Sequence, residues 1–146
     1  MYYPDLTPYV YGAEPGDEPA LNVGWLDSAY EFPKGDPPVG FLDRLRVVAR
    51  TGVKQTRGFQ VCQFCPDPCA SFSLGAWSAE DRAVYQACFA DGHYSSAELR
   101  VRGNDGRVYA SPEMLIHYVA AHSYLPPPAF VDAVMRTDLR VSNEGA

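Results

Sequence analysis

The residues whose types and spacing carry chemistry are Cys62-Gln63-Phe64-Cys65 and, far downstream, His117-Tyr118-Val119-Ala120-Ala121-His122. Two thiols three positions apart and two imidazoles five apart are the donor types and spacings of a tetrahedral zinc site. Cys62, Cys65, His117 and His122 are therefore the predicted ligands of a Cys2His2-type site, with zinc as the predicted ion. About fifty residues separate the two pairs, many more than in a zinc finger, so such an ion would clamp together two distant parts of the fold. Cys69 offers a third thiol nearby and is the alternative to one of the histidines. A separation of five is about 500° around an ideal helix, which drives the two rings apart unless the helix unwinds at His122. Leu125-Pro126-Pro127-Pro128 places the helix end there, because proline cannot continue a helix and restricts the residue before it.

Other chemistries fit the residues less well. A catalytic dithiol needs its first thiol at a helix N-terminus in a thioredoxin-like context, and Pro66 and Pro68 argue against a helix after the pair. A zinc deaminase carries His-x-Glu upstream of its Cys-x-x-Cys, and no histidine precedes Cys62. His-Glu-x-x-His and Gly-x-Ser-x-Gly are absent from the chain, which removes the usual metalloprotease and serine-hydrolase signatures. A metal-dependent hydrolase would have to use Glu98 or Asp27 as base, and Glu98 reads as an exposed strand carboxylate. His93 beside Ser95 and Ser96 reads as turn-forming polar residues, and Cys88 as a small buried hydrophobe. No catalytic residue is assigned.

The elements that must position the four ligands follow from periodicity and punctuation. Leu21-Asn22-Val23-Gly24-Trp25 alternates and predicts a strand with Leu21, Val23 and Trp25 on one face. Asp36-Pro37 signals a helix start, with Phe41, Leu42, Leu45, Val48 and Ala49 as the apolar stripe, an end near Arg50 and Gly52 as the stop. A strand then feeds the Cys-x-x-Cys turn, where backbone amides can donate to the sulfurs. After a small-residue stretch at 71–76, Ser78 caps a second helix over about 79–90, with Glu80 and Asp81 favouring its N-terminal dipole. Gly103-Asn104-Asp105-Gly106 between alternating segments predicts a hairpin at about 97–110, with Leu99 and Val101 on one face. Ser111-Pro112 repeats the cap-and-proline signal for the histidine helix, and a last helix over 129–135 buries Phe130, Val131 and Val134. Pro37-Pro38-x-x-Phe41 and Pro126-Pro127-x-x-Phe130 look alike, but their surroundings differ, so both read as one way of starting a short helix.

The expected fold is α+β, a small antiparallel sheet with three to four short helices, pinned by the metal site. Its 146 residues suit one core. The expected layout is an extended Pro- and Tyr-rich arm at 1–20, a single domain at 21–136 and a frayed tail at 137–146. A formal charge of −6 argues against nucleic acid as partner and suits a basic protein partner. The cluster of Arg44, Arg46, Arg50 and Lys54 reads as a solvated helix face. No apolar run is long enough to cross a membrane and no leader is visible, so a cytoplasmic location and reduced thiols are expected.

Leu21-Asn-Val-Gly-Trp-Leu-Asp27, Arg57-Gly-Phe-Gln-Val-Cys-Gln-Phe-Cys65, Ala97-Glu-Leu-Arg-Val101, His117-Tyr118 and His122-Ser-Tyr-Leu-Pro-Pro127 together resemble a family of small uncharacterised proteins found in actinobacteria and other bacteria. The resemblance spans about residues 21–134. It implies that the cysteine pair and the helix histidines belong to one design, and it implies no activity. The expected role is a zinc-stabilised, non-enzymatic interaction protein, possible kinds being an immunity or antitoxin-like partner, with the metal-dependent hydrolase as the alternative.

Overall fold

The computed structural model describes residues 2–10, 15–16, 18–50, 54–65, 77–90, 94–103 and 105–137, with the backbone alone at 54–60. Cys69, His93, Gly52, the 71–76 stretch and the 142–146 tail lie outside the described residues. In chain order the elements are β1 (Leu21–Asn22), α1 (Phe41–Ala49), β2 (Lys54–Val61), α2 (Ala79–Ala90), β3 (Tyr94–Arg102), β4 (Val108–Pro112), α3 (Leu115–His122) and α4 (Pro128–Arg136). The architecture is α+β, as the sequence predicts.

One sheet has the strand order β1-β4-β3-β2. The pairs β2/β3 and β3/β4 are antiparallel, while the two-residue β1 lies parallel to β4, so the sheet is mixed. The predicted hairpin joins β3 to β4 with Arg102 opposite Val108. Its turn is closed by Gly106 N–H donating to Gly103 O at 3.1 Å, and Gly106 takes φ 84°, a conformation that glycine adopts without steric cost.

Alternation along β3 and β4 divides the core in two. Leu99, Val101 and Tyr109 face the larger cluster, built with Val23, Phe41, Leu45, Leu115, Tyr118 and Phe130. Val108 and Ala110 face the other side, where Tyr9, Ala20 and Trp25 pack with Tyr3. Phe41 and Phe130 meet edge to face at 6.4 Å between ring centroids and both are fully buried. Each contributes roughly 1.5–3 kcal/mol by leaving water.

The first strand departs from the expected pattern. Gly24 adopts φ 79°, which ends the alternation, so Val23 enters the larger cluster and Trp25 the smaller one instead of sharing a face. Trp25 is held there by its indole N–H, which donates to Ala110 O at 3.0 Å. On the same side, residues 2–10 run along β1: Leu6 N–H donates to Asn22 O, Asn22 N–H to Thr7 O and Tyr9 N–H to Ala20 O.

The helix starts also differ in instructive ways. Asp36-Pro37 does not open α1, which begins at Phe41 after Gly40 at φ 88°. Pro38 follows Pro37 directly and disfavours the helical region for it, so the first-turn role expected of Pro37 is sterically costly. At α4 the same rule operates one position later: Pro127 is extended (φ −55°, ψ 145°) and Pro128 is the first helical residue. Ser111 and Pro112 pair with Leu99 and Glu98 as the end of β4, which leaves α3 to begin at Leu115. Ser78 does cap α2: its Oγ accepts from Asp81 N–H at 3.1 Å, and Asp81 Oδ2 accepts from Ser78 N–H at 3.0 Å, a reciprocal arrangement. Arg44 is more than a solvated charge, since its guanidinium donates to Val134 O and Thr137 O and so covers the carbonyl end of α4.

Candidate metal centre

The four predicted ligands come together. Val61 ends β2, Cys62 follows it, and a turn over Gln63 and Phe64 returns the chain to Cys65. Cys62 is 2% exposed; Cys65 is half-buried. Burial pushes the Cys62 thiol up to about 11, while the backbone N–H groups of Phe64 and then Cys65, which hydrogen-bond to it, pull the other way. Those amides are the turn donors expected of a Cys-x-x-Cys loop.

Both histidines belong to α3. His117 is buried in the helix interior, and His122 is its last residue, followed by Ser123 in the left-handed conformation at φ 57°. The helix therefore ends directly after His122, where the proline stop places it. Their centroids stand 5.0 Å apart. Cys62 Sγ lies 3.4 Å from His122 Nε2, Cys65 Sγ 3.2 Å from the same nitrogen, and Cys65 Sγ 3.4 Å from His117 Nε2. All four donor atoms lie within 4.8 Å of one another.

That convergence is not explained by thiol–imidazole hydrogen bonding. A ring nitrogen carries either one proton or one lone pair, so His122 Nε2 serves one sulfur well, yet two sulfurs approach it. Donors crowding toward a common centre is the arrangement that a metal ion imposes. The cluster could hold one.

The two residues between the cysteines fix the loop in place, a role the sequence did not suggest. Gln63 Oε1 accepts from Ser28 N–H at 2.9 Å and from Ser28 Oγ at 3.0 Å. Phe64 packs edge to face on Tyr118 (5.7 Å) and Phe32 (5.2 Å) and lies 5.5 Å from the His122 ring. The segment holding Ser28 and Phe32 is in turn tied to the end of α3, through Gly35 N–H to Ser123 O and Leu125 N–H to Pro33 O. Between them, Ser28, Tyr30, Phe32, Lys34, Phe64 and His122 border a groove of about 520 Å3, together with Glu31.

The two candidate bases are placed differently from expectation. Glu98 is not an exposed strand carboxylate but is 2% exposed, because residues 2–10 cover its face of the sheet. Tyr9 OH donates to both of its oxygens, at 2.7 and 2.9 Å, and Arg100 pairs with Oε2 at 3.2 Å. Burial, followed by the Glu98 hydrogen bond, pushes the Tyr9 hydroxyl up to about 12. By strand alternation Glu98 points away from Leu99, whose side of the sheet holds Cys62. Asp27 lies by the cysteine loop; the Ala29 N–H that it accepts at 2.8 Å holds its carboxyl below the ordinary range.

These features define an α+β domain with a Cys2His2-type cluster able to hold a metal ion. The chain belongs to the family described as a domain of unknown function (DUF7919), whose model matches residues 1–135. No curated protein and no solved structure matches the chain. Among the described residues no helix is long and apolar enough to cross a membrane.

Proposed function

We propose that the chain is a zinc-binding protein in which Cys62, Cys65, His117 and His122 hold a structural zinc ion, and that it acts as a non-enzymatic interaction module. The observation that carries the metal reading is the double approach of Cys62 Sγ and Cys65 Sγ to His122 Nε2, at 3.4 and 3.2 Å. Zinc bonds of roughly 2.3 Å to sulfur and 2.0–2.1 Å to nitrogen, set at a tetrahedral angle, place S and N roughly 3.5 Å apart. The three S···N separations of 3.2, 3.4 and 3.4 Å are close to that value. Two thiolates with two neutral imidazoles also cancel the charge of a divalent ion, which suits a site half enclosed by protein.

Four protein donors close a tetrahedron and leave no open position, the mark of a structural site. Zinc there would join the end of β2 to α3 and contribute folding energy directly. The interaction role draws on the acidic balance, −6 overall, and on apolar side chains left in solvent, Val39 at 99% exposed and Val10 at 70%. A basic protein is the partner that such a surface favours through electrostatic steering, and an immunity or antitoxin-like role in a bacterium is the biological setting proposed. The hydrolase alternative draws less support, since Glu98 is engaged by Tyr9 and Arg100 on the other face of the sheet.

Elemental analysis of the purified chain tests the metal reading. One tightly held zinc per chain, with a large drop in unfolding temperature in a strong chelator, is the expected result. A metal-free preparation that takes up no zinc and keeps its stability in chelator would overturn it.

A further inference from the structure

We propose that Cys65 is a modification site for peroxide-class oxidants and that Cys62 resolves the oxidised Cys65 into a disulfide, so that oxidation dismantles the metal centre. This rests on the zinc reading above. The two sulfurs are close, within 4.8 Å, and unequal in access: Cys62 is 2% exposed, Cys65 half-buried. Oxidation attacks a sulfur that an oxidant can reach, and zinc ligation would hold both sulfurs as thiolates. Cys65 is therefore the entry point and Cys62 the protected second thiolate.

The step balances with the peroxide as the only co-reactant. The Cys65 thiolate attacks one peroxide oxygen, the O–O bond breaks, and Cys65 becomes a sulfenic acid as hydroxide leaves. The Cys62 thiolate then attacks the Cys65 sulfur, an S–S bond forms, and the S–O bond breaks with loss of a second hydroxide. Two thiolates have lost two electrons and the peroxide has gained them. A disulfide needs its sulfurs roughly 2.0 Å apart, whereas two sulfurs on one tetrahedral zinc stand roughly 3.8 Å apart. Cys62 and Cys65 cannot satisfy both, and His117 and His122 alone are a poor site, so disulfide formation frees the ion. The two-residue loop between the cysteines keeps the partner sulfur at hand throughout. Cys88, 2% exposed within α2, is a reference thiol in the same chain.

The test titrates the zinc-loaded full chain with hydrogen peroxide beside a colorimetric reporter of free zinc, followed by mass mapping of all four cysteines after differential alkylation. Release of about one zinc per peroxide consumed, a Cys62–Cys65 disulfide, and recovery of binding after treatment with a dithiol reductant are expected. Cys69→Ser and Cys88→Ser should release zinc as the wild type does. Retention of zinc while Cys69 or Cys88 oxidises would overturn the proposal, as would a disulfide made with either of them. Zinc loss accompanied only by sulfinic acid at Cys65 would overturn the resolving role of Cys62. Zinc content before peroxide is added separates these failures from failure of the metal reading, since a chain that never holds zinc shows none at the start.

Discussion

Tyr124 OH donates a 2.8 Å hydrogen bond to Asp5 Oδ2 across 119 positions of sequence, and this bond ties residues 2–10 to the segment that leaves the histidine helix. The other carboxylate oxygen, Oδ1, accepts Gly24 N–H at 3.0 Å. Asp5 thus joins the N-terminal segment, the bend after β1 and the end of α3 at one point, two residues past His122.

A pH dependence follows from this placement. Burial raises the Asp5 carboxyl above its ordinary 3.8, outweighing the Gly24 and Tyr124 hydrogen bonds that lower it. The folded chain therefore binds this proton more readily than the unfolded chain. The stabilising contribution is fully present below 3.8 and is lost as pH rises through the raised folded value, the reverse of a salt-bridged carboxylate. Asp5→Asn removes it. The stability difference between wild type and Asp5→Asn should shift in favour of wild type as pH falls toward 4, by at most about 1.4 kcal/mol per pH unit. Urea unfolding of both proteins at several pH values measures it, and a shift of opposite sign would refute the assignment.

Gly24→Ala should be among the most damaging single-methyl additions among the described residues. The residue sits at φ 79°, and an added Cβ would lie 2.6 Å from Leu115 Cδ1, two residues before His117. The left-handed conformation costs an alanine roughly 1–2 kcal/mol, and forcing apart a packed core adds roughly 1–3 kcal/mol. A loss of about 2–5 kcal/mol in chemical denaturation is expected, with Gly24→Ser no better. A loss below about 1 kcal/mol would mean that Leu115 moves aside freely.

The four residues that converge, and several of the elements around them, were readable from local signals: donor spacing, a proline stop after His122, a capping serine at 78 and an Asn-Asp-Gly turn. What escaped depended on contacts between distant segments. Glu98 alternates with Leu99 and Val101 and so reads as solvent-facing; only the covering of that face by Tyr9, 89 positions earlier, buries it. Gln63 and Phe64 look like spacers because their partners Ser28, Phe32 and Tyr118 lie on other elements. The shifted start of α1 was legible in principle, since a residue that precedes a proline is disfavoured from the helical region.

The Tyr9–Glu98 pair should be energetically coupled. Tyr9→Phe removes the hydroxyl that donates to a carboxylate 2% exposed and leaves that carboxylate to Arg100, whose guanidinium lies 4.6 Å from the centroid of the Tyr9 ring. Losing a hydrogen bond to a buried charged group costs about 1.5–3 kcal/mol. Glu98→Gln should be destabilising as well, because the neutral amide loses the charge that pairs with Arg100 and puts an –NH2 group where Oε1 accepted from Tyr9 OH. In the double variant the costs should add to less than their sum, by about 0.5–3 kcal/mol. Strict additivity in a double-mutant cycle would show the contact to be incidental.

The two histidines should not be equivalent as ligands. His117 is buried against the protein interior, whereas His122 is half-buried, terminates α3 and borders the 520 Å3 groove. In His122→Ala, Cys62, Cys65 and His117 still converge, and the lost side chain opens onto a groove rather than a sealed void. In His117→Ala the missing ring leaves a cavity beside Tyr118 with no comparable route for relaxation. Both variants should weaken zinc binding at least about tenfold, the lower end of the typical cost of disturbing even the partners of metal ligands. His117→Ala should also lower the unfolding temperature more than His122→Ala when both are compared metal-free in chelator. Competition titrations against a chelator of known affinity, with thermal unfolding of the same samples, read the two effects separately. Unchanged zinc affinity in His122→Ala would remove that residue from the ligand set and leave the site to be completed elsewhere.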